Sequence, residues 1–401
     1  MSHLEDYQLK FKNMKRNIVA VGMLLAFSAA LWSCSSSDDK TPGQDQTLEQ
    51  NLTSETQSLV TAVEEISTSE GYKLITLSES TKEGAEDESD DRFSFTRTIT
   101  LEDIKGVYNY ILPTSEAEGS STKMWGTEFA FEKAEESEFF VINLPQEKAE
   151  KPWMLYQEME GESEMDNDFN VTASQYNSST VMNIEGFEFD YLLDADINIE
   201  EEAAGSIFVD WTMSMSAGMS WDYESEFGFP NGYSVGHEFE FGEEIEFAYN
   251  LKKDEEVLFM EEVSYTPGNG EENAEYEYTL TIGNIKIVRN SNSEGYEVYR
   301  DGELEEGAVI TVLNDDTKEG EGDGEGEEDE SDNAFCRGGF DIKITFADES
   351  EVILSELIGE ETLEQLDEIF SSMHDMYFVN KLVDRVAKEA YEINMSEEAG
   401  E

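Results

Sequence analysis

Apolar and polar side chains alternate along most of this chain. Clear two-residue periodicity occupies residues 207–221, 235–251, 256–265, 275–289, 295–300, 308–313, 339–346 and 351–355. That period places every second side chain on one face of a strand. Shorter strand-like runs occupy 127–132, 138–143, 169–174 and 180–199, and turn formers such as Asp301-Gly302 separate several of them. The period changes at both ends. Leu48, Leu52, Leu59, Val63 and Ile66 recur at helical spacing, and Gly71 is placed to end that segment. Leu363, Leu366, Ile369, Phe370, Met373, Leu382, Val383, Val386 and Ala390 do the same within 361–393. Tyr72 to Leu77 reads as a first strand. No long helical pattern interrupts 92–355, which disfavours βαβ units. The predicted class is mainly β, an antiparallel sheet, sandwich or barrel-like body, with an N-terminal and a C-terminal amphipathic helix: α+β overall.

Before these elements comes an apolar run from Ile18 to Leu31, preceded by Lys10, Lys12, Lys15 and Arg16. Fourteen helical residues reach only about 21 Å, short of the roughly 30 Å hydrocarbon core. A basic segment, a short apolar segment and small residues make a secretory signal peptide. Its span is 1–33, with 1–13 a candidate start-site artefact, because Met14-Lys15-Arg16 is a more usual beginning. Leu31-Trp32-Ser33-Cys34 resembles the lipobox of bacterial lipoprotein precursors. The resemblance implies cleavage between Ser33 and Cys34 and acylation of the Cys34 thiol. Ser35, Ser36, Ser37, Asp38 and Asp39 resemble the serine–aspartate export tag of Bacteroidota surface lipoproteins. These resemblances imply a lipid anchor in the outer membrane at the cell surface, the periplasmic face being the alternative. Two or more acyl chains hold a soluble body firmly, at about 0.8 kcal/mol per buried methylene.

The remaining segmentation follows composition. Residues 34–46 form a lipidated cysteine and flexible tether, 47–77 a helix and first strand, and 78–91 an acidic loop. Residues 92–314 form the β body, 315–333 an acidic glycine-rich loop, 334–355 a hairpin, and 361–393 the C-terminal helix or helices. "TKEG" and "EDESD" occur in both acidic loops, at 81–90 and 317–332; the flanks match poorly, which favours convergence over duplication. Lys381, Arg385 and Lys388 make the last helix the most basic piece, a pattern that complements a helix C-terminus.

Charge narrows the partners. The chain carries 94 acidic and 25 basic residues, a net charge of −69. Nucleic acid is excluded as a partner, since phosphate binding needs lysine and arginine, and an anionic lipid surface repels the body. Aromatics at 11% argue against global disorder. With Cys34 acylated, Cys336 is the remaining thiol, so no intramolecular disulfide forms.

Candidate chemistry is sparse. In the 315–333 loop, Asp323, Glu325, Glu327 and Asp329 supply oxygen ligands for weakly bound calcium. EF-hand order is absent, and Gly320, Gly322, Gly324 and Gly326 leave the segment without preorganisation. In "WTMSMSAGMSW", Trp211, Met213, Met215, Ala217, Met219 and Trp221 share one face of a continuous strand. Core packing is the default; the alternatives are an apolar-ligand wall of Trp211, Met213, Met215, Met219 and Trp221, or thioethers for Cu(I). His237 and His374 lack nucleophile or zinc spacing. No phosphate-binding loop occurs. The expectation is a lipid-anchored lipoprotein without an assigned cofactor, with a non-enzymatic role binding a protein or glycan, or a structural one. The alternatives are a glycan-directed carboxylate hydrolase and a periplasmic apolar-ligand carrier.

Overall fold

The computed structural model describes residues 47–76, 97–111, 130–150, 166–183, 186–216, 218–268, 274–293, 295–314, 340–373 and 377–398. In chain order the elements are α1 (Leu48–Ser67), α2 (Glu70–Ile75), β1 (Arg97–Thr100), α3 (Leu101–Ile104), β2 (Gly106–Tyr110), β3 (Phe131–Glu135), β4 (Phe140–Leu144) and α4 (Gln146–Ala149). Six long strands follow: β5 (Phe169–Asn183), β6 (Gly186–Ile199), β7 (Glu202–Ser214), β8 (Ser220–Gly228), β9 (Tyr233–Phe241) and β10 (Ile245–Lys253). Then come β11 (Glu256–Thr266), β12 (Glu275–Ile282), β13 (Ile285–Asn290), β14 (Glu297–Arg300), β15 (Glu303–Leu304), β16 (Val309–Asn314), β17 (Phe340–Thr345) and β18 (Glu351–Ile353). Helices α5 (Leu354–Ile358), α6 (Glu360–Met373) and α7 (Tyr377–Glu398) close the described chain. The protein is mainly β, with helices at both ends.

Among the described residues fifteen strands share one sheet, ordered β15-β14-β13-β12-β11-β10-β9-β8-β7-β6-β5-β4-β2-β3, with β1 pairing β5 beside that path. A second sheet is β16-β17-β18. Pairs β4–β5 to β7–β8 and β10–β11 to β14–β15 run antiparallel. The departure is β2–β4, which is parallel. β3 lies antiparallel on the outer side of β2, and the chain then passes the end of β2 to form β4 on its inner side. Gly106 makes that crossing possible: its N–H donates to the Phe139 carbonyl at 2.9 Å and its φ is +141°.

The chain forms two compact units. One comprises residues 66–237 with 369–401. Its core lies on one sheet face, built of Tyr108, Phe140, Ile142, Leu144, Val171, Tyr191, Leu193, Ile207 and Val209, all fully or nearly fully buried. Helix α7 contributes the buried Val379, Leu382, Val383, Val386, Ala387 and Ala390. Polar groups tie this helix to its own unit. Tyr176 Oη donates to Asp384 Oδ1 at 3.1 Å, and the Phe131 backbone N–H donates to Glu389 Oε1 at 2.8 Å. Tyr108 Oη bonds to Asn394 Oδ1 at 3.2 Å, and the Arg97 guanidinium sits 4.9 Å from the Tyr391 ring centre. The other unit comprises the chain up to residue 65 with 238–368. Its buried residues include Leu52, Leu59 and Val63 of α1, and Leu251, Phe259, Leu280, Ile282, Ile285 and Ile287 of the sheet. Ser350 Oγ, in the β17–β18 turn, bonds to Glu49 Oε2 of α1 at 3.2 Å.

Four local expectations are corrected. Residues 70–75 are helical where a strand is expected over Tyr72–Leu77: Ser69 caps the helix by accepting from the Tyr72 N–H, which outweighs the β-preference of Tyr72 and Ile75. Gly71 does not end a helix but lies within α2, where an added Cβ would stand 2.6 Å from the Ala204 carbonyl oxygen. The single run expected over 207–221 is a hairpin, broken between Ser214 and Ser220. Lys381, Arg385 and Lys388 are not in the last turn of the helix, because α7 starts at Tyr377 and runs on to Glu398. The acidic loops and the tether lie outside the described residues.

Candidate binding surface

Cross-strand register assembles a surface from residues far apart in sequence. Tyr191 pairs with Trp211, and Trp211 with Tyr223; Phe189 pairs with Met213, and Met213 with Trp221. Met182 pairs with Phe187. Met215 extends the row, its N–H donating to the Phe187 carbonyl at 2.8 Å. Alternation puts all these side chains on the core face of β5–β8. Aromatic contacts run along it without a gap. Ring centres lie 5.6 Å apart for Tyr108–Phe140, 6.4 Å for Phe140–Tyr176 and 6.0 Å for Tyr176–Tyr191. They are 6.4 Å apart for Tyr191–Phe189, 4.8 Å for Phe189–Trp211, 5.9 Å for Trp211–Trp221 and 5.5 Å for Tyr223–His237.

Burial falls along this row. Tyr108, Phe140, Tyr176, Tyr191 and Phe189 are buried, and α7 bonds to Tyr108 and Tyr176. Trp211, Met213, Met219, Trp221, Tyr223 and Phe187 are half-buried. At the hairpin ends Met182 is 49% exposed and Met215 40%. The Trp–Met stretch is therefore not interior packing: the turn after Ser214 carries it to the end of the sheet. Sequence periodicity singled out Trp211, Met213, Met215, Met219 and Trp221 but missed Met182, Phe187, Phe189 and Tyr223. The signal for Phe187 and Met182 was present, since Asn183 and Gly186 flank a turn inside the run read as 180–199.

The opposite face of the same strands is acidic. Asp190, Asp210 and Asp222 alternate away from the aromatic face. Burial chiefly, then the charges of Asp190 and Asp222, push the Asp210 carboxyl above its usual range. These groups project side by side from one sheet surface, whereas glycoside hydrolysis needs two carboxyls facing each other, about 5–9 Å apart. The same face carries an asparagine ladder. Asn198 donates to Asn170 at 3.4 Å, Asn170 to Asn143 at 2.7 Å and Asn143 to Asn109 at 2.8 Å, across four neighbouring strands.

In the second unit, Glu246, Glu262 and Glu277 share the polar face of β10–β12. Burial chiefly pushes Glu262 up; Lys286, 4.0 Å away, opposes this, and Glu238, Glu246 and Glu277 add to it. Among the described residues, no three His, Cys, Asp or Glu side chains are placed to hold a metal ion. Asp323, Glu325, Glu327 and Asp329, like Ser33, Cys34, Cys336 and His374, lie outside the described residues. His237 is buried beside Tyr223. No described helix is long and apolar enough to cross a membrane. Compared with protein-family models, curated proteins and solved structures, the chain matches none.

Proposed function

We propose that this chain is a lipid-anchored lipoprotein of the outer membrane, with its body at the cell surface, and that its role is binding rather than catalysis. The contact surface is the Met–aromatic end of β5–β8. One observation carries this reading: a continuous aromatic row leaves its buried end and finishes in two exposed methionines and two half-buried tryptophans. Large apolar side chains gathered at a surface mark interaction sites, and methionine adapts to varied partners. The partner is a protein segment that combines apolar side chains with lysine or arginine. Exposed Glu188, Asp190, Asp222 and Glu224 lie on the reverse face of the same hairpins and, with the net charge of −69, favour a cationic partner over an anionic surface. The exposure of Met215 supports an open surface over the closed cavity a carrier needs. A neutral glycan is the second reading, favoured by the 27° angle between the Trp211 and Trp221 rings, which approaches a stacking platform.

The test uses the processed chain and a synthetic Lys/Leu amphipathic peptide, in about 0.5 M salt so that simple charge attraction is screened. Calorimetry is expected to show binding that Trp221→Ser and Met215→Ser weaken, and none to oligolysine. Equal binding of oligolysine, or unaffected variants, overturns the protein-partner reading; binding of neutral oligosaccharides instead moves it to the glycan. Anchoring is tested separately by protease shaving of intact cells with and without Cys34→Ala. An unmodified amino terminus by mass spectrometry removes the anchor.

A further inference from the structure

The thioethers of Met213, Met215 and Met219 have a chemistry that partner docking does not use. On one uninterrupted strand, Met213 and Met219 would stand about 20 Å apart. The observed turn folds the segment back on itself. Ser214 pairs with Ser220 and Met213 with Trp221. Met215 is held in the β6–β7 ladder by its N–H bond to Phe187. Met215 and Met219 lie one step beyond the Ser214–Ser220 pair, and across the ladder the Met213–Met219 diagonal is about 7–8 Å. Three flexible side chains at such spacings can bring their sulfurs to one point. None of the three is fully buried, so an ion can reach them from solvent.

Trp221 completes the surroundings. It stands directly across from Met213 and two residues from Met219, and its indole is half-buried. An indole face attracts cations. Thioether sulfur is neutral and soft, so it selects Cu(I) over the hard ions that carboxylates prefer. Exposed Glu188 and Asp222 on the same hairpins raise the local concentration of any cation.

We propose that Met213, Met215 and Met219 form a three-thioether site for a soft monovalent cation, Cu(I), with Trp221 as its cation–π neighbour. The site shares Met215 and Trp221 with the partner-binding surface, but metal titration reads it without any peptide or glycan. Binding is coordination alone: the ion keeps its charge and no electron is transferred.

The experiment uses a chain expressed from residue 34 onward, without the signal segment, carrying Cys34→Ser and Cys336→Ser, which removes competing thiols. Redox-inert Ag(I) is titrated in chloride-free buffer, and Cu(I) is titrated anaerobically against a chromogenic Cu(I) chelator. With ¹³C-methyl methionine, one equivalent of Ag(I) is expected to shift three ε-methyl signals together and to quench tryptophan emission. The volume-conserving Met213→Leu/Met215→Leu/Met219→Leu variant should lose those three signals and bind at least about tenfold more weakly, the minimum expected for a direct ligand. Met395→Leu, another exposed methionine, should bind as the parent does. If the triple variant does not fold, Met215→Leu alone is expected to give the same tenfold loss. Unchanged Ag(I) affinity in these variants, or shifts confined to other methionines, overturns the proposal. Absence of peptide binding by the unsubstituted chain, with Ag(I) binding retained, overturns only the partner reading.

Discussion

Helix α7 bonds to a strand edge through one side chain, and Glu389→Ala tests how much the covered end of the aromatic face depends on it. Glu389 is 5% exposed and accepts the Phe131 backbone N–H at 2.8 Å, a bond buried at both ends. β3 is the terminal strand of its sheet and pairs only with β2 among the described strands. The Phe131 N–H therefore draws on the helix for its acceptor. Truncation leaves that donor buried and unsatisfied, at a cost of about 1–3 kcal/mol. Part of this is offset because a buried carboxylate no longer has to be desolvated, so a net value near 2 kcal/mol is expected. Glu389→Gln keeps an acceptor oxygen and loses only charge assistance, which should leave it between the two. Global melting is a poor readout in a protein of two compact units. Amide hydrogen exchange at Phe131 reads the local opening directly. A change of 2 kcal/mol corresponds to roughly 30-fold faster exchange. Glu389→Ala should approach that factor, and Glu389→Gln should fall below it. Unchanged protection at Phe131 in Glu389→Ala would mean that the helix is held by its apolar face alone, and the argument would fail.

Three further predictions rest on other parts of the molecule. Asn143→Leu breaks the ladder at its centre, removing the donor to Asn109 and the acceptor from Asn170; the half-buried amides regain water in part, so the urea midpoint should fall by the equivalent of about 1 kcal/mol. Gly283 has φ +56°, and a Cβ there would stand 2.0 Å from Glu55 Oε2. Gly283→Ala should cost about 1–2 kcal/mol from the backbone alone, and adding Glu55→Ala should recover only the steric part; full recovery would contradict the backbone argument. Glu55, Asp210, Glu246 and Glu262 are all pushed above the usual carboxylate range, each chiefly by burial. Their folded state holds protons more tightly than the unfolded chain, so their ionisation opposes folding. Stability should rise as pH falls from neutral through these raised values, and level off once the unfolded chain is protonated too. Glu262→Gln should stabilise the protein at neutral pH and flatten that rise; a thermal midpoint that drops steadily on mild acidification would contradict the sign.

What could be read from the chain follows from the range of each signal. Alternation is local, and it located β11 and β14 closely because strand period depends on neighbours two residues away, whereas the runs 180–199, 207–221, 235–251 and 275–289 each span two strands. Turns inside a run were harder. Residues 209–221 keep alternation through the bend, because Met213 and Trp221, paired across it, share one face. Periodicity alone cannot distinguish one long strand from two facing strands when an odd-length turn preserves the phase. The helix at 70–75 was hidden for a different reason: six residues are too few for a helical period, and only the Ser69 cap marks it.

The surface itself depends on register, which no local pattern encodes. The asparagine ladder shows this most clearly. Its members are separated by 34, 27 and 28 residues, without any repeat, yet they stand on four successive strands and bond in line. The β2–β4 parallel pairing sets one of those contacts, so an antiparallel expectation at that position would have put Asn109 elsewhere. The same holds for Met182, which meets Phe187 through one hairpin while Phe187 meets Met215 through the next. A one-residue slip in either hairpin would turn the methionines to the acidic face and bring carboxylates onto the aromatic one. Buried Tyr191 and Phe189 oppose that slip, since it would exchange two fully packed rings for two solvated positions. The packed end of the aromatic row therefore holds the register that keeps its open end in place.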